Sequence, residues 1–364
     1  MKSEKTLDEL IKDGQWDEVR VFYEAHPEEI KKIDPSNGST VLHAICFISS
    51  VPVSLLAFII NAWPEAVTVQ ENRYGATPLH LLCWTNQRSA KKVNILLERI
   101  KPEDLMIRNQ NAGSTVLHSA CGSHADISVI KAIVRKYPAI LLAKTFDHHH
   151  TALNALWLSH LQSIPAHLSV ARILKGEKVT EPLFKRFWNK VEFLAMESVR
   201  ISSSCPKDIY NIDDEELSNY ILHGLFDLKS PLDAIKVAIK LNPKSTSYAD
   251  NKGNYPLHHA VIRRPFRVKD IDLIKDLIEA NSAAATKRNN DGDAPIHIGI
   301  RDRMVWEEGL SNLVEADSDV LGIPDQKTGL YPFLQCASLG GNVAINNTFC
   351  LLIAKPDLVK GACI

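Results

Sequence analysis

Gly75-Ala76-Thr77-Pro78-Leu79-His80 decides how this chain folds, because variants of it return in register. They are Gly38-Ser39-Thr40-Val41-Leu42-His43, Gly113-Ser114-Thr115-Val116-Leu117-His118, Gly253-Asn254-Tyr255-Pro256-Leu257-His258 and Gly292-Asp293-Ala294-Pro295-Ile296-His297. Successive glycines lie 37 and 38 residues apart from Gly38 to Gly113, and 39 and 37 apart from Gly253 to Gly329. A fixed period of this size belongs to helical hairpins stacked one on the next, each burying its neighbour's apolar face, and not to one closed core.

Each glycine closes a turn rich in Asn, Asp and Lys, such as Asp250-Asn251-Lys252-Gly253, where one residue needs positive φ. Two residues later Thr40, Thr77, Thr115 and Thr151 stand where a side chain caps a helix, and Pro78, Pro256, Pro295 and Pro332 suit its first turn. This first helix of each unit, helix A, packs through pairs such as Leu79 and Leu81, or Leu257 and Ala260, and Cys46, Cys83 and Cys121 share one buried position. The repeated His43, His80, His118, His223, His258 and His297 lie beside the turns, where an imidazole can bond loop backbone and tie one unit to another. Helix B follows with i, i+3, i+4, i+7 spacing, as in Val93, Leu96, Leu97 and Ile100, and is expected to stop at Pro64, Pro102, Pro138 and Pro243.

The chain has 364 residues, 45% apolar and 23% charged, the composition of an ordered globular protein. A formal net charge of −1 gives no reason to expect nucleic acid or an anionic membrane as partner. Residues 1–10 contain no apolar core of a secretory signal, and the longest apolar run, Leu55 to Ile60, is too short to span a bilayer. Seven cysteines without such a signal suggest reduced thiols in the cytoplasm or nucleus. There the two Asn-Xaa-Ser/Thr patterns go unused, and Cys363 sits too late for prenylation.

The recurring Thr77-Pro78-Leu79-His80 resembles the signature of ankyrin repeats, and the likeness covers nearly the whole chain except an inserted stretch. Ankyrin units have about 33 residues, so loops or helix ends are longer here. One central unit is degenerate, with His149 for Gly and Asn154 for His, and another, around His223, lacks the glycine turn. The expected fold is all-α, an ankyrin-like solenoid of stacked helix-turn-helix repeats with short hairpin-like loops and a helical insertion. Residues 1–33 form an N-terminal capping hairpin, 34–156 and 214–364 carry repeats, and 157–213 are inserted; Gly329-Leu330-Tyr331-Pro332-Phe333-Leu334, with Leu for His, belongs to a C-terminal cap. The resemblance implies a protein-recognition scaffold that holds partners on a concave surface of loops and helix A. Arg73, Tyr74, Trp84, Asn111, Lys252, Tyr255, Asp291 and Lys327 would line that surface.

In the insertion, Leu183, Phe184, Phe187, Trp188, Val191, Leu194 and Ala195 form one stripe of a helix that starts at Pro182, either packed or partly open for docking. The densest positive charge is Arg263-Arg264-Pro265-Phe266-Arg267-Val268-Lys269, read as a solvated loop. His43 and Cys46, like their counterparts in later units, are spaced i, i+3, but zinc needs four ligands around one ion. Equivalent residues of stacked helices stand about 8 to 10 Å apart, so these residues are read as core and no metal is expected. His148-His149-His150 reads as an exposed loop and the Asp213–Glu216 cluster as a solvated helix start. The chain has no phosphate-binding loop, dinucleotide fingerprint or nucleophile elbow. The expectation is therefore a monomeric, non-catalytic scaffold without cofactors that binds a protein partner, the alternative being a regulatory or inhibitory subunit that covers an enzyme.

Overall fold

The computed structural model describes residues 7–85, 89–202, 213–263 and 268–357. Residues 264–267 of the basic patch, residues 203–206 of the Ser-rich run with Cys205, and Cys363 lie outside them. Among the described residues the regular structure is helical, with one isolated bridge between Ile33 and Thr40, and no helix is long and apolar enough to cross a membrane. The chain divides into two compact units, Met1–His167 with Lys185–Val191, and Leu168–Phe184 with Glu192–Ile364.

Unit 1 opens with α1 (Leu7–Lys12), α2 (Trp16–Ala25) and α3 (Pro27–Ile30). Three hairpins follow: α4 (Val41–Phe47) with α5 (Val53–Ala62), α6 (Pro78–Trp84) with α7 (Ala90–Arg99), and α8 (Val116–Gly122) with α9 (Ile127–Lys136). Helix α10 (Ala152–Leu161) completes the row, and the A helices pack in the order α4, α6, α8, α10. After α10 come α11 (Ile164–Leu174) and α12 (Pro182–Ile201). Unit 2 continues with α13 (Asp214–Leu217), α14 (Ile221–Asp227) with α15 (Leu232–Leu241), and α16 (Pro256–Ile262) with α17 (Val268–Ala280). Last come α18 (Pro295–Arg301) with α19 (Leu310–Ala316), and α20 (Pro332–Leu339) with α21 (Asn342–Ala354). Here α14, α16, α18 and α20 stack as A helices, and α15, α17 and α19 as B helices.

The prolines expected to end helix B do more than end it. The α-helices stop at Ala62, Arg99, Lys136 and Leu241, and Pro64, Pro102, Pro138 and Pro243 each open one 3₁₀ turn, Pro64–Thr68 being the first. Proline suits a first turn, where its missing N–H costs nothing. These turns bury core side chains, among them Val67, Leu105, Ile140, Leu141 and Thr246. Ser282–Ala285 and Ser318–Gly322 repeat the device without proline. Four or five extra residues per unit account for most of the excess over a two-helix unit of about 33.

Two sets of bonds join consecutive hairpins. The turn N–H of Asn72 donates to Asn37 O at 2.7 Å, Gln110 N–H to Tyr74 O at 2.7 Å, Phe146 N–H to Ala112 O at 2.8 Å and Asn290 N–H to Lys252 O at 2.8 Å. The accepting carbonyl always belongs to the residue before the glycine. The glycines are left-handed, Gly75 at φ +62° for example, and a Cβ there would lie 2.4 Å from Gln110 Cγ. His149, in the glycine position of the degenerate unit, also adopts positive φ, +51°.

The second set is made by the histidines. His43 Nε2–H donates to Ala76 O at 3.1 Å, His80 to Ser114 O at 3.1 Å, His118 to His150 O at 3.0 Å, His223 to Asn254 O at 3.1 Å, His258 to Asp293 O at 3.1 Å and His297 to Ile323 O at 2.9 Å. Five of these rings also accept at Nδ1 from the backbone N–H three residues earlier: Thr40, Thr77, Thr115, Tyr255 and Ala294, at 3.0 to 3.3 Å. Those donors fix the proton on Nε2. His223 is the exception: a 3₁₀ turn, Ser218–Tyr220, replaces the glycine turn before it, and its buried Nδ1 has no hydrogen-bond partner among the described residues.

The insertion forms no third unit. In unit 1 the ring of Phe187 stacks on His160 at 3.5 Å between centroids, lies 5.4 Å from Trp157, and is buried together with Trp188 and Val191. In unit 2 Leu194, Ala195, Ser198 and Val199 are buried, and Ser198 Oγ donates to Gly224 O at 3.2 Å. Gly224 is needed there, because a Cβ would sit 2.0 Å from Ala195 O. The expected stripe is thus buried except Leu183, which is 69% exposed. Burial of Phe187 and Trp188 removes the stripe as an open docking face.

Candidate functional site

The eight residues expected to meet a partner divide between the two units. In unit 1 the Arg73 guanidinium lies over the Tyr74 ring at 4.9 Å, and Tyr74 meets Trp84 edge to face at 5.5 Å. Arg73 and Tyr74 come from the turn before α6 and Trp84 is its last residue, so turn and helix build one aromatic-cationic patch. Arg73 and Trp84 remain exposed and Tyr74 half-buried. Exposed Asn111 lies on the next turn, whose Gln110 N–H holds Tyr74 O.

In unit 2 Lys252 and Asp291 are exposed on adjacent turns, linked by the Asn290 N–H bond to Lys252 O. Tyr255 is half-buried, its ring 6.0 Å from that of His258. Lys327 is exposed, but its Nζ lies 3.7 Å from Asp293 Oδ2. Asp293 and Asp325 are buried carboxylates that share Arg301, with Arg301 Nη1 2.6 Å from Asp293 Oδ1 and 3.1 Å from Asp325 Oδ2. A charge set in such a network holds the turns together, which leaves Lys327 less available than its position suggests.

The sequence reading singled out Trp84 but missed its equivalents. Trp84 is the ninth residue after its glycine; Phe47 and Leu158 hold the same place after Gly38 and His149, and Ile262 after Gly253. They are 63%, 47% and 46% exposed, against 47% for Trp84. At the equivalent place on α8 stands Gly122, where a Cβ would meet nothing within 4 Å, leaving a gap between Trp84 and Leu158. An apolar residue recurring in one register is a signal the sequence carried, but helical periodicity alone does not separate a helix's solvent-facing end from its core.

Burial explains the ionisation of this framework. Desolvation pulls the pKa of His80, His118, His223 and His258 down to about 4, and lowers His43 and His297. The rings are neutral at neutral pH, as the Nδ1 acceptors of all but His223 require. Burial also pushes the Cys83 and Cys121 thiols up to about 12 and raises Cys46 further, so the shared cysteine position holds protonated thiols without a nucleophile's character. In His43, His80, His118, His258 and His297 both ring nitrogens are engaged with backbone groups, which leaves no lone pair for a metal.

No family model matches the chain, and no curated protein matches it. Among solved structures, an ankyrin repeat protein from Leishmania major aligns with a TM-score of 0.34 and 15% identity, covering 78% of this chain and 83% of that one. The likeness is slight.

Proposed function

We propose that this chain is a non-catalytic, ankyrin-like interaction protein, and that the surface made by the A-helix ends and turn tips of unit 1 holds a protein partner. The observation that carries this reading is the row Phe47, Trp84 and Leu158, solvent-exposed at one repeated position and extended by Arg73 and Tyr74. Apolar side chains held in water on a rigid framework are costly in a monomer and useful at an interface. Trp, Tyr and Arg are also the side chains that most often dominate binding energy. The gap at Gly122 gives a partner's side chain room between Trp84 and Leu158.

The test compares the parent with a triple variant, Phe47→Ser, Trp84→Ala and Leu158→Ser, by quantitative affinity capture from cell extract. Proteins retained by the parent and lost from the variant, with equal urea midpoints for the two baits, support the reading. Identical captured sets overturn it.

A further inference from the structure

Helix α21 carries a face unlike any other among the described residues of unit 2. Ile345, Phe349 and Ile353 follow one another at intervals of four residues, on one side of the helix, and are 67%, 64% and 62% exposed. From Asn342 to Ala354 the helix contains no Asp, Glu, Lys or Arg. Its opposite side is committed to the fold: Ala344, Asn347 and Leu351 are buried, and Asn347 bonds Met304 O at 2.7 Å and the Trp306 N–H at 3.0 Å.

Two other B helices use the corresponding face to meet a neighbour. The residue before the last in α5 is Asn61, which accepts from Arg99 of α7 at 2.8 Å; in α15 it is Lys240, whose Nζ lies 3.5 Å from Asp276 of α17. Four residues earlier in α15, Lys236 Nζ lies 3.6 Å from Asp272 and 3.8 Å from Asp276. In α15 both positions, and in α5 the later one, reach across to the next B helix. In α21 the same positions are Ile353 and Phe349. Where Asn61 of α5 and Lys236 and Lys240 of α15 offer polar groups to a polar neighbour, α21 offers hydrocarbon, which suits an apolar partner face.

The pattern Ile345, Phe349, Ile353 reads the same in both directions. We propose that it is a two-fold self-association face, on which α21 of a second copy packs antiparallel. A two-fold axis at Phe349 sets the two phenyl rings against each other and places Ile345 of each copy opposite Ile353 of the other. An isologous contact needs one patch that complements itself, which this one does, and an uncharged helix brings no like charges together. Aromatic rings meeting at the centre add to the apolar burial. Three side chains make a small patch, so the association is a concentration-dependent one, in contrast to the monomer expected from sequence.

Sedimentation velocity and light scattering across about 5 to 200 μM, the range in which small interfaces assemble, test this directly. The parent should rise from its monomer mass of 40.6 kDa toward twice that value. Phe349→Glu should weaken the dimer about tenfold or more with an unchanged far-UV spectrum, and Ile345→Glu, further from the axis, should act in the same direction. In a Cys350→Ser background, Phe349→Cys should form an intermolecular disulfide on mild oxidation, because only a two-fold contact brings position 349 against itself. A parent that stays at monomer mass throughout, a dimer untouched by both glutamates, or a cysteine variant that cross-links no faster than a surface-cysteine control would overturn the proposal.

Discussion

Replacing His80 by alanine isolates the bond that joins one hairpin to the next. The ring is buried and holds two backbone groups: Nε2–H donates to Ser114 O at 3.1 Å, and Nδ1 accepts from Thr77 N–H at 3.3 Å, with the Thr77 hydroxyl 2.8 Å away. Truncation leaves both backbone groups without their partner at about 1 to 3 kcal/mol each, and partial access of water to Ser114 keeps the total near 2 to 4 kcal/mol. That is a large share of the 5 to 15 kcal/mol typical of a domain. The same residue has a pH signature. Its folded pKa of about 4 lies below the ordinary 6.5, so between these values the unfolded chain binds a proton that the folded chain refuses. The neutral-ring contribution is complete above pH 6.5 and is lost as pH falls toward 4, at about 1.4 kcal/mol per pH unit. Urea melts followed by circular dichroism at pH 7.5 and pH 5 should therefore show His80→Ala well below the parent at the higher pH and a narrower gap at the lower. Equal midpoints at pH 7.5, or a gap that does not change with pH, would mean that the His80 ring does not join the two hairpins.

The glycines supply paired tests. Gly75→Ala forces a left-handed residue with its Cβ 2.4 Å from Gln110 Cγ and 3.0 Å from Gln110 N, and should cost about 2 kcal/mol or more in chemical denaturation, whereas Gly122→Ala, at a helix end with open space, should be neutral or stabilise by up to about 1 kcal/mol. Gly224→Ala drives a methyl group into the Ala195 carbonyl of α12 and should cost about 3 kcal/mol or more, seen as faster hydrogen exchange at the α14 amides; unchanged exchange would show that α12 does not bear on α14.

The repeat is legible in the residues alone. A left-handed turn glycine, a capping residue two places later and a His three places beyond that are local chemistry, and a fixed offset makes them legible without coordinates. The i, i+3, i+4 stripes placed helices A and B for the same reason. Other features depended on residues far apart in sequence meeting in space. Leu183 belongs to the same helical stripe as Phe187 and Trp188, yet only its neighbours found something to pack against. Proline announced the end of helix B but not the 3₁₀ turn that follows, since what stabilises that turn is burial of Val67 and its counterparts. Among the expected partner residues, Arg73, Tyr74 and Trp84 come together because the turn folds back over the end of α6, while Lys327 is drawn to Asp293 by a network whose members lie far apart in sequence. Exposure of Phe47, Leu158 and Phe349 was likewise decided by the tertiary structure, because a helix's periodicity gives the angle between side chains and says nothing of which angle meets water.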